Sequence, residues 1–171
     1  MLHDKTTNEI FEKLWNKFKY DRDFKLFLIV GLFTGIAGGI NSTVFNNFLS
    51  DVYHLSASAR GIVEFPRELP GALIIVVIGI FSFLGDIRLA AMGMIFSAIG
   101  MLGLGMFSPT FATMLIWMMT LSLGTHIFMP LAPTIGMTLS QRDSYGVRLG
   151  RFNAYNLAAT IIGYAIRSEE H

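Results

Sequence analysis

The chain has 171 residues, of which 53% are hydrophobic and only 15% are charged. Soluble domains usually carry about 25% charged residues, so this deficit indicates a chain whose solvent is lipid. High hydrophobicity excludes intrinsic disorder, and a formal net charge of +1 lacks the basic excess that nucleic-acid binding requires. The chain contains no cysteine, which excludes disulfides, thiolate metal sites and thiol nucleophiles.

Residues 1–24, ahead of the first apolar run, form a segment that contains five of the 13 Lys and Arg residues, Lys5, Lys13, Lys17, Lys19 and Arg22. Between residues 6 and 20, apolar side chains recur at helical spacing with charged side chains opposite. This pattern predicts an amphipathic helix on the cytoplasmic membrane surface, with a solvated tail as the alternative. The apolar run that begins near residue 26 is too long for a signal-peptide core of about 7–15 residues, so we expect it to form a membrane span.

Long stretches without acidic or basic residues follow along the rest of the chain. The longest, between Arg88 and Arg142, contains 53 uncharged residues and is divided by a predicted turn at residues 107–110. A bilayer core about 30 Å thick needs roughly 20 apolar residues per helix, and backbone groups in lipid must be paired internally. We therefore predict an all-α, polytopic transmembrane helix bundle over residues 25–167, followed by a tail at 168–171. Its five helices lie at about 25–48, 58–84, 87–107, 111–139 and 149–167.

The basic residues are distributed unequally between the two sides of such a bundle. Ten of the 13 Lys and Arg residues fall on the side of the N-terminus, and three fall on the other side. Cytoplasmic loops carry an excess of Lys and Arg. The distribution therefore predicts a multi-pass protein of the cell membrane with its N-terminus in the cytoplasm.

The predicted first helix carries a face of small residues. Gly31, Gly35 and Gly39 recur at every fourth position. This spacing lets another helix approach closely, so we predict that the three glycines form a helix-packing face.

Asparagines stand inside two of the predicted membrane helices. Asn41 and Asn46 lie in the first helix, and Asn153 and Asn156 lie one turn apart in the fifth. A buried amide needs hydrogen-bond partners. These side chains either bond to neighbouring helices or face a polar cavity, and the sequence leaves both interpretations open.

The predicted second helix carries charged residues on a single stripe. At 100° per residue, Arg60, Glu64, Arg67 and Glu68 fall within roughly 100° of one another, so Glu64 can pair with either arginine. Glu64 lies roughly 9 Å and Glu68 roughly 15 Å from the predicted start of the helix. A charge at the bilayer centre costs at least about 2.5–3.5 kcal/mol, so such groups usually face protein or a water-filled cavity. The stripe is interpreted as a substrate or proton site, or as a structural charge cluster near the outer mouth.

A lone histidine stands near the middle of the predicted fourth helix. His126 shares a helical stripe with Ser122, one turn earlier. Histidine changes charge near neutral pH, which suits proton coupling, although a neutral hydrogen-bonding role is the alternative. Since no second histidine or carboxylate stands at ligand spacing, we predict neither a metal nor another cofactor.

Several features together suggest a family. They are the basic N-terminal segment, the glycine-rich first helix, a short turn at residues 85–88, the outer turn at 107–110 and a basic loop at 141–151. From about residue 20 to residue 167 the chain resembles the N-terminal part of a major facilitator superfamily transporter. Asp86 matches the aspartate of the family's loop between helices two and three, and Arg88 stands nearby. The resemblance implies that this loop takes part in conformational change.

The chain also departs from the family's pattern. Ser82 stands at the first glycine position of the loop signature, and Leu89-Ala90-Ala91 replace its basic end. The fourth-helix arginine of many proton-coupled members is absent, as is the fifth-helix Gly-Pro signature of drug–proton antiporters. Any coupling would have to come from the charged residues of the second helix and from His126.

The resemblance implies secondary active transport of a small polar or charged solute by alternating access. Because the family has two six-helix halves with the substrate site between them, five helices indicate an incomplete first half of a truncated or split transporter. The expected partners are the bilayer, the solute and the missing remainder, with weak or no transport by the chain alone. The residues predicted to line a substrate or proton pathway are Asn41, Asn46, Glu64, Arg67, Glu68, His126, Asn153 and Asn156.

Two other classes of function are alternatives to transport. A non-transporting membrane interaction or assembly protein would use the face of Gly31, Gly35 and Gly39 for docking. An intramembrane enzyme is disfavoured because Glu64, Glu68 and His126 form no local catalytic spacing and the chain has no nucleophile motif. We therefore predict that the protein is not an enzyme.

Overall fold

The computed structural model describes residues 2–140 and 144–168, with side chains over residues 22–140 and 144–166. The described part of the chain is all-helical, which confirms the predicted all-α class. A short 3-10 turn, Ser82–Leu84, extends the second helix. The five α-helices of the described residues are α1 (Leu2–Asp51), α2 (Ala57–Phe81), α3 (Asp86–Met106), α4 (Phe111–Thr138) and α5 (Tyr145–Ser168).

The first helix begins far ahead of the predicted membrane span. α1 runs without a break from Leu2 to Asp51, whereas the sequence predicts a separate N-terminal segment ahead of a span that starts near residue 25. No proline or glycine stands between Leu2 and Val30, so no residue of that stretch breaks the helix. The predicted amphipathic pattern of residues 6–20 depends on side chains that lie outside the described part of the structure. Residues 169–171 of the predicted tail also lie outside the described residues.

Four helices among the described residues are long and apolar enough to cross a membrane. They are α1 from Arg22 to Asp51, α2 with its 3-10 turn, α3 and α4, with mean hydropathies between 1.5 and 1.9. The length and apolar composition of these four helices support the predicted membrane protein. α5 is not among them, because arginines and asparagines dilute its apolar residues, so the fifth span stays a prediction.

The described chain divides into two compact units, and the first joins α5 to most of α1. A Cβ at Gly31 would lie 2.7 Å from the Phe152 ring. One and two turns later, Gly35 and Gly39 face backbone carbonyls of α5. Since contacts advance along both helices together, α5 runs parallel to α1. The small-residue face of α1 is therefore occupied by a helix of the same chain.

The second unit, Val44–Ile135, contains the end of α1, all of α2 and α3, and most of α4. Loop hydrogen bonds hold its helix ends together. The Tyr53 hydroxyl donates to the Ser108 carbonyl (2.5 Å), and the Trp117 indole donates to the Phe107 carbonyl (2.8 Å). The core residues of this unit are Phe45, Leu49, Val63, Leu104, Met114 and Met118.

The glycine contact between α1 and α5 gives a test of this packing. In Gly35→Ala, the added methyl group meets the Asn156 carbonyl and the Ala159 side chain, so the helices must separate. Overpacking of this kind costs about 1–3 kcal/mol. We expect a lower melting temperature for the detergent-solubilised variant.

Gly38→Ala is the matched control, because a Cβ at Gly38 meets no described atom within 4 Å. Both substitutions gain about the same helix propensity, roughly 1 kcal/mol. Equal melting temperatures for the two variants would contradict the α1–α5 contact.

Candidate functional site

The charged residues of α2 meet the histidine of α4 within the second unit. Arg67 Nη2 lies 2.6 Å from Glu64 Oε2, and Arg67 Nε lies 3.4 Å from Glu68 Oε1. The other oxygen of Glu68 lies 3.3 Å from His126 Nε2. These four side chains, Glu64, Arg67, Glu68 and His126, form one connected set, which we call the charged cluster.

Helical spacing and one glycine account for this arrangement. Glu64 and Arg67 are three residues apart and therefore share a face of α2. On the same face, one turn later, Gly71 leaves room for the imidazole of α4: a Cβ there would lie 2.6 Å from His126 Nε2. The absence of a side chain at Gly71 thus lets His126 approach the carboxylate of Glu68.

A serine of α4 ties the cluster to the backbone of α2. Ser122, which is only 5% exposed, donates its hydroxyl hydrogen to the Arg67 carbonyl. Pro70 has no N–H to donate to the carbonyl of Pro66, and its ring disturbs the helical hydrogen-bond ladder in the turn that also contains the Arg67 carbonyl. In membrane helices, side chains of neighbouring helices commonly compensate for such prolines. The same hydroxyl lies 3.1 Å from His126 Nδ1, so Ser122 supports both helices at the cluster.

The cluster lies at a surface of the second unit. The Glu68 side chain is 58% exposed, Glu64 and Arg67 are each somewhat over a third exposed, and His126 is 20% exposed. An ion pair between exposed groups in water contributes about 0.2–1 kcal/mol, so stability alone gives little reason for these charges. Their position on an apolar helix requires another explanation.

Other predicted residues lie apart from the cluster or serve in packing. Arg60 donates to the Asn46 carbonyl (3.2 Å). Of the two arginines that the sequence places within reach of Glu64, the structure pairs Arg67 with it. The Asn156 amide donates to the Gly31 carbonyl (2.8 Å) and to Thr34 Oγ1 (3.2 Å). Asn156 therefore bonds to a neighbouring helix, which is the first of the two interpretations that the sequence leaves open.

The remaining predicted residues have the following positions. Asn41 is half-buried on α1, and Asn153 is exposed on α5. Asp86 and Arg88 are exposed in the first turn of α3, directly after Gly85. The positive φ of Gly85, 77°, lies in a region that favours glycine, so this residue suits the tight turn from the second helix into the third.

A substitution at Gly71 tests the geometry of the cluster. In Gly71→Ala, the methyl group would occupy the place of the His126 ring, which must then leave its contact with Glu68. We expect the ¹⁵N resonances of the His126 imidazole to shift in labelled protein in lipid nanodiscs. Gly79→Ala is the control on the same helix, since a Cβ there meets no described atom within 4 Å. An unchanged His126 spectrum in Gly71→Ala would contradict the contact.

No protein-family model, curated protein or solved structure matches the chain. The charged cluster lies on α2 and α4, two helices that are each long and apolar enough to cross a membrane.

Proposed function

We propose that the protein is a transporter, or part of one, that moves a small polar or charged solute across the cell membrane by secondary active, alternating access. The observation that carries this proposal is the charged cluster on two helices that are each apolar enough to span a membrane. The cluster lines a hydrophilic passage and contacts the solute or a coupling ion.

The distance of Glu64 and Glu68 from the start of α2 supports a position in a water-filled passage rather than at the membrane surface. α2 begins at Ala57, so Glu64 lies about 10 Å and Glu68 about 16 Å along the helix from its start, at a rise of 1.5 Å per residue. A carboxylate facing hydrocarbon there costs at least about 2.5–3.5 kcal/mol. Pairing with Arg67 offsets part of that cost, but Glu68 remains more than half exposed. Water or a polar solute beside Glu68 removes the remaining cost.

The direction of α5 supports a fifth crossing. If α1 to α4 each cross the membrane, the chain returns to its starting side before α5. A crossing α5 must then run in the direction of α1, as it does, and it contacts α1 at Gly31, Gly35 and Gly39 inside the first span. The excess of basic residues on the starting side supports an N-terminus in the cytoplasm as part of this proposal.

The relation to the major facilitator superfamily is part of the same proposal. It is supported by the order of the helices and by the short α2–α3 turn, where Asp86 and Arg88 follow Gly85. In this proposal the turn moves as the transporter changes conformation. The alternative role as an interaction protein has less support, since α5 covers the glycine face that was expected to dock a partner.

Solute binding gives a direct test of the proposed site. A ligand that binds only the folded state stabilises it by RT ln(1 + [L]/Kd), about 2.7 kcal/mol at a hundredfold excess over Kd. We expect at least one member of a panel of small amines, amino acids, organic acids and sugars to raise the melting temperature of the detergent-solubilised chain. Glu68→Gln and His126→Asn should each abolish that increase.

Two substitutions outside the cluster serve as controls. Asp51→Asn removes an exposed carboxylate at the end of α1, and His54→Asn replaces an exposed histidine with φ 54°, which asparagine tolerates. Both should retain the solute-induced stabilisation. A solute effect that persists in Glu68→Gln and His126→Asn would contradict the proposed site, and uptake of the same solute by proteoliposomes would separate transport from binding.

A further inference from the structure

Both ring nitrogens of His126 have polar neighbours, and these neighbours determine where its hydrogens lie. Nδ1 lies 2.9 Å from the backbone carbonyl oxygen of Ser122 and 3.1 Å from the Ser122 hydroxyl. Nε2 lies 3.3 Å from Oε2 of Glu68. Each of these contacts needs one hydrogen between its two atoms.

The Nδ1 contacts require a hydrogen on the ring. A carbonyl oxygen only accepts, and the Ser122 hydroxyl already donates its one hydrogen to the Arg67 carbonyl. If Nδ1 were bare, its lone pair would face two oxygen atoms with no hydrogen between them. Nδ1 therefore carries the hydrogen and donates it toward Ser122.

With the hydrogen of a neutral ring on Nδ1, the contact between Nε2 and Glu68 has no hydrogen of its own. When Nδ1 is protonated, Nε2 of a neutral imidazole is an acceptor, and an ionised carboxylate also has only acceptors. Two acceptors would repel each other at 3.3 Å. We infer that Glu68 and His126 together bind one proton between Oε2 and Nε2, so that the pair is a proton-binding site within the membrane.

The charge balance of the cluster favours the bound proton. Glu64 and Glu68 together with Arg67 give a net charge of −1 if His126 is neutral, and the added proton brings the cluster to zero. A neutral cluster is cheaper to hold at membrane depth. The charged groups around the pair are Arg67, 3.4 Å from Glu68, and Glu64, which Arg67 neutralises; α4 contributes the Ser122 hydroxyl.

The site is also placed to exchange its proton. The Glu68 side chain is 58% exposed, whereas His126 is 20% exposed and held by Ser122. Protons therefore enter and leave from the side of Glu68. If the protein transports as proposed, the proton bound by this pair is its coupling ion. That consequence rests on the proposed function. The presence of the bound proton is independent of the proposed function.

Nuclear magnetic resonance can locate the proton directly. The full chain, labelled with ¹⁵N-histidine and ¹³C-glutamate, is placed in lipid nanodiscs near neutral pH, and the resonances are assigned with His126→Gln and Glu68→Gln. We expect a protonated Nδ1 together with one further proton in the pair. That proton appears either as Nε2–H beside an ionised Glu68 or as a protonated Glu68 beside a bare Nε2. In Glu68→Gln, the amide can donate to Nε2, so the ring should become neutral with only Nδ1 protonated.

Asp51→Asn is the matched control, because Asp51 is an exposed carboxylate at the end of α1 and does not belong to the charged cluster. Its His126 resonances should keep the protonation pattern of the unmodified chain. Three results would overturn the inference: a bare Nε2 beside an ionised Glu68, a neutral ring with its hydrogen on Nε2, or protons on both Nε2 and Glu68. A positive result without solute binding would leave the proton site standing and refute the transporter instead.

Discussion

The free-energy cost of charge in hydrocarbon is the constraint on which the rest of this protein depends. An unpaired carboxylate at the depth of Glu68 would strongly disfavour insertion of α2. The protein meets that constraint with Arg67 between two glutamates, with His126 from α4 and with the shared proton inferred here. Removing one of these groups leaves another charge without its partner, which is why the cluster acts as a unit rather than as separate pairs.

Helix association in lipid explains why glycine stands at both important contacts. Lipid tails are as apolar as leucine, so apolar burial gives little force to bring membrane helices together. Close packing and hydrogen bonds take its place. On α1, Gly35 admits the backbone of α5, and on α2, Gly71 admits the ring of His126. The missing side chain permits contact with a helix backbone in one unit and the contact of His126 with Glu68 in the other.

Local regularities made much of this architecture predictable. The stretches without charged residues predicted the four apolar helices. The spacing of three residues predicted that Glu64 can pair with Arg67. The choice between Arg60 and Arg67 could not be predicted, since both lie within reach of Glu64 and Arg60 instead meets the end of α1. The meeting of Glu68 with His126 depends on how α2 and α4 dock, which sequence spacing does not encode.

The central claim is that the charged face of α2 borders water, and cysteine accessibility tests it most directly. The chain has no cysteine of its own, so single replacements can be read without background. Glu68→Cys should react with a membrane-impermeant thiol reagent in proteoliposomes, whereas Phe65→Cys and Leu69→Cys, at similar depth on the apolar side of α2, should not. Protection of Glu68→Cys, or equal reaction at all three positions, would contradict the account.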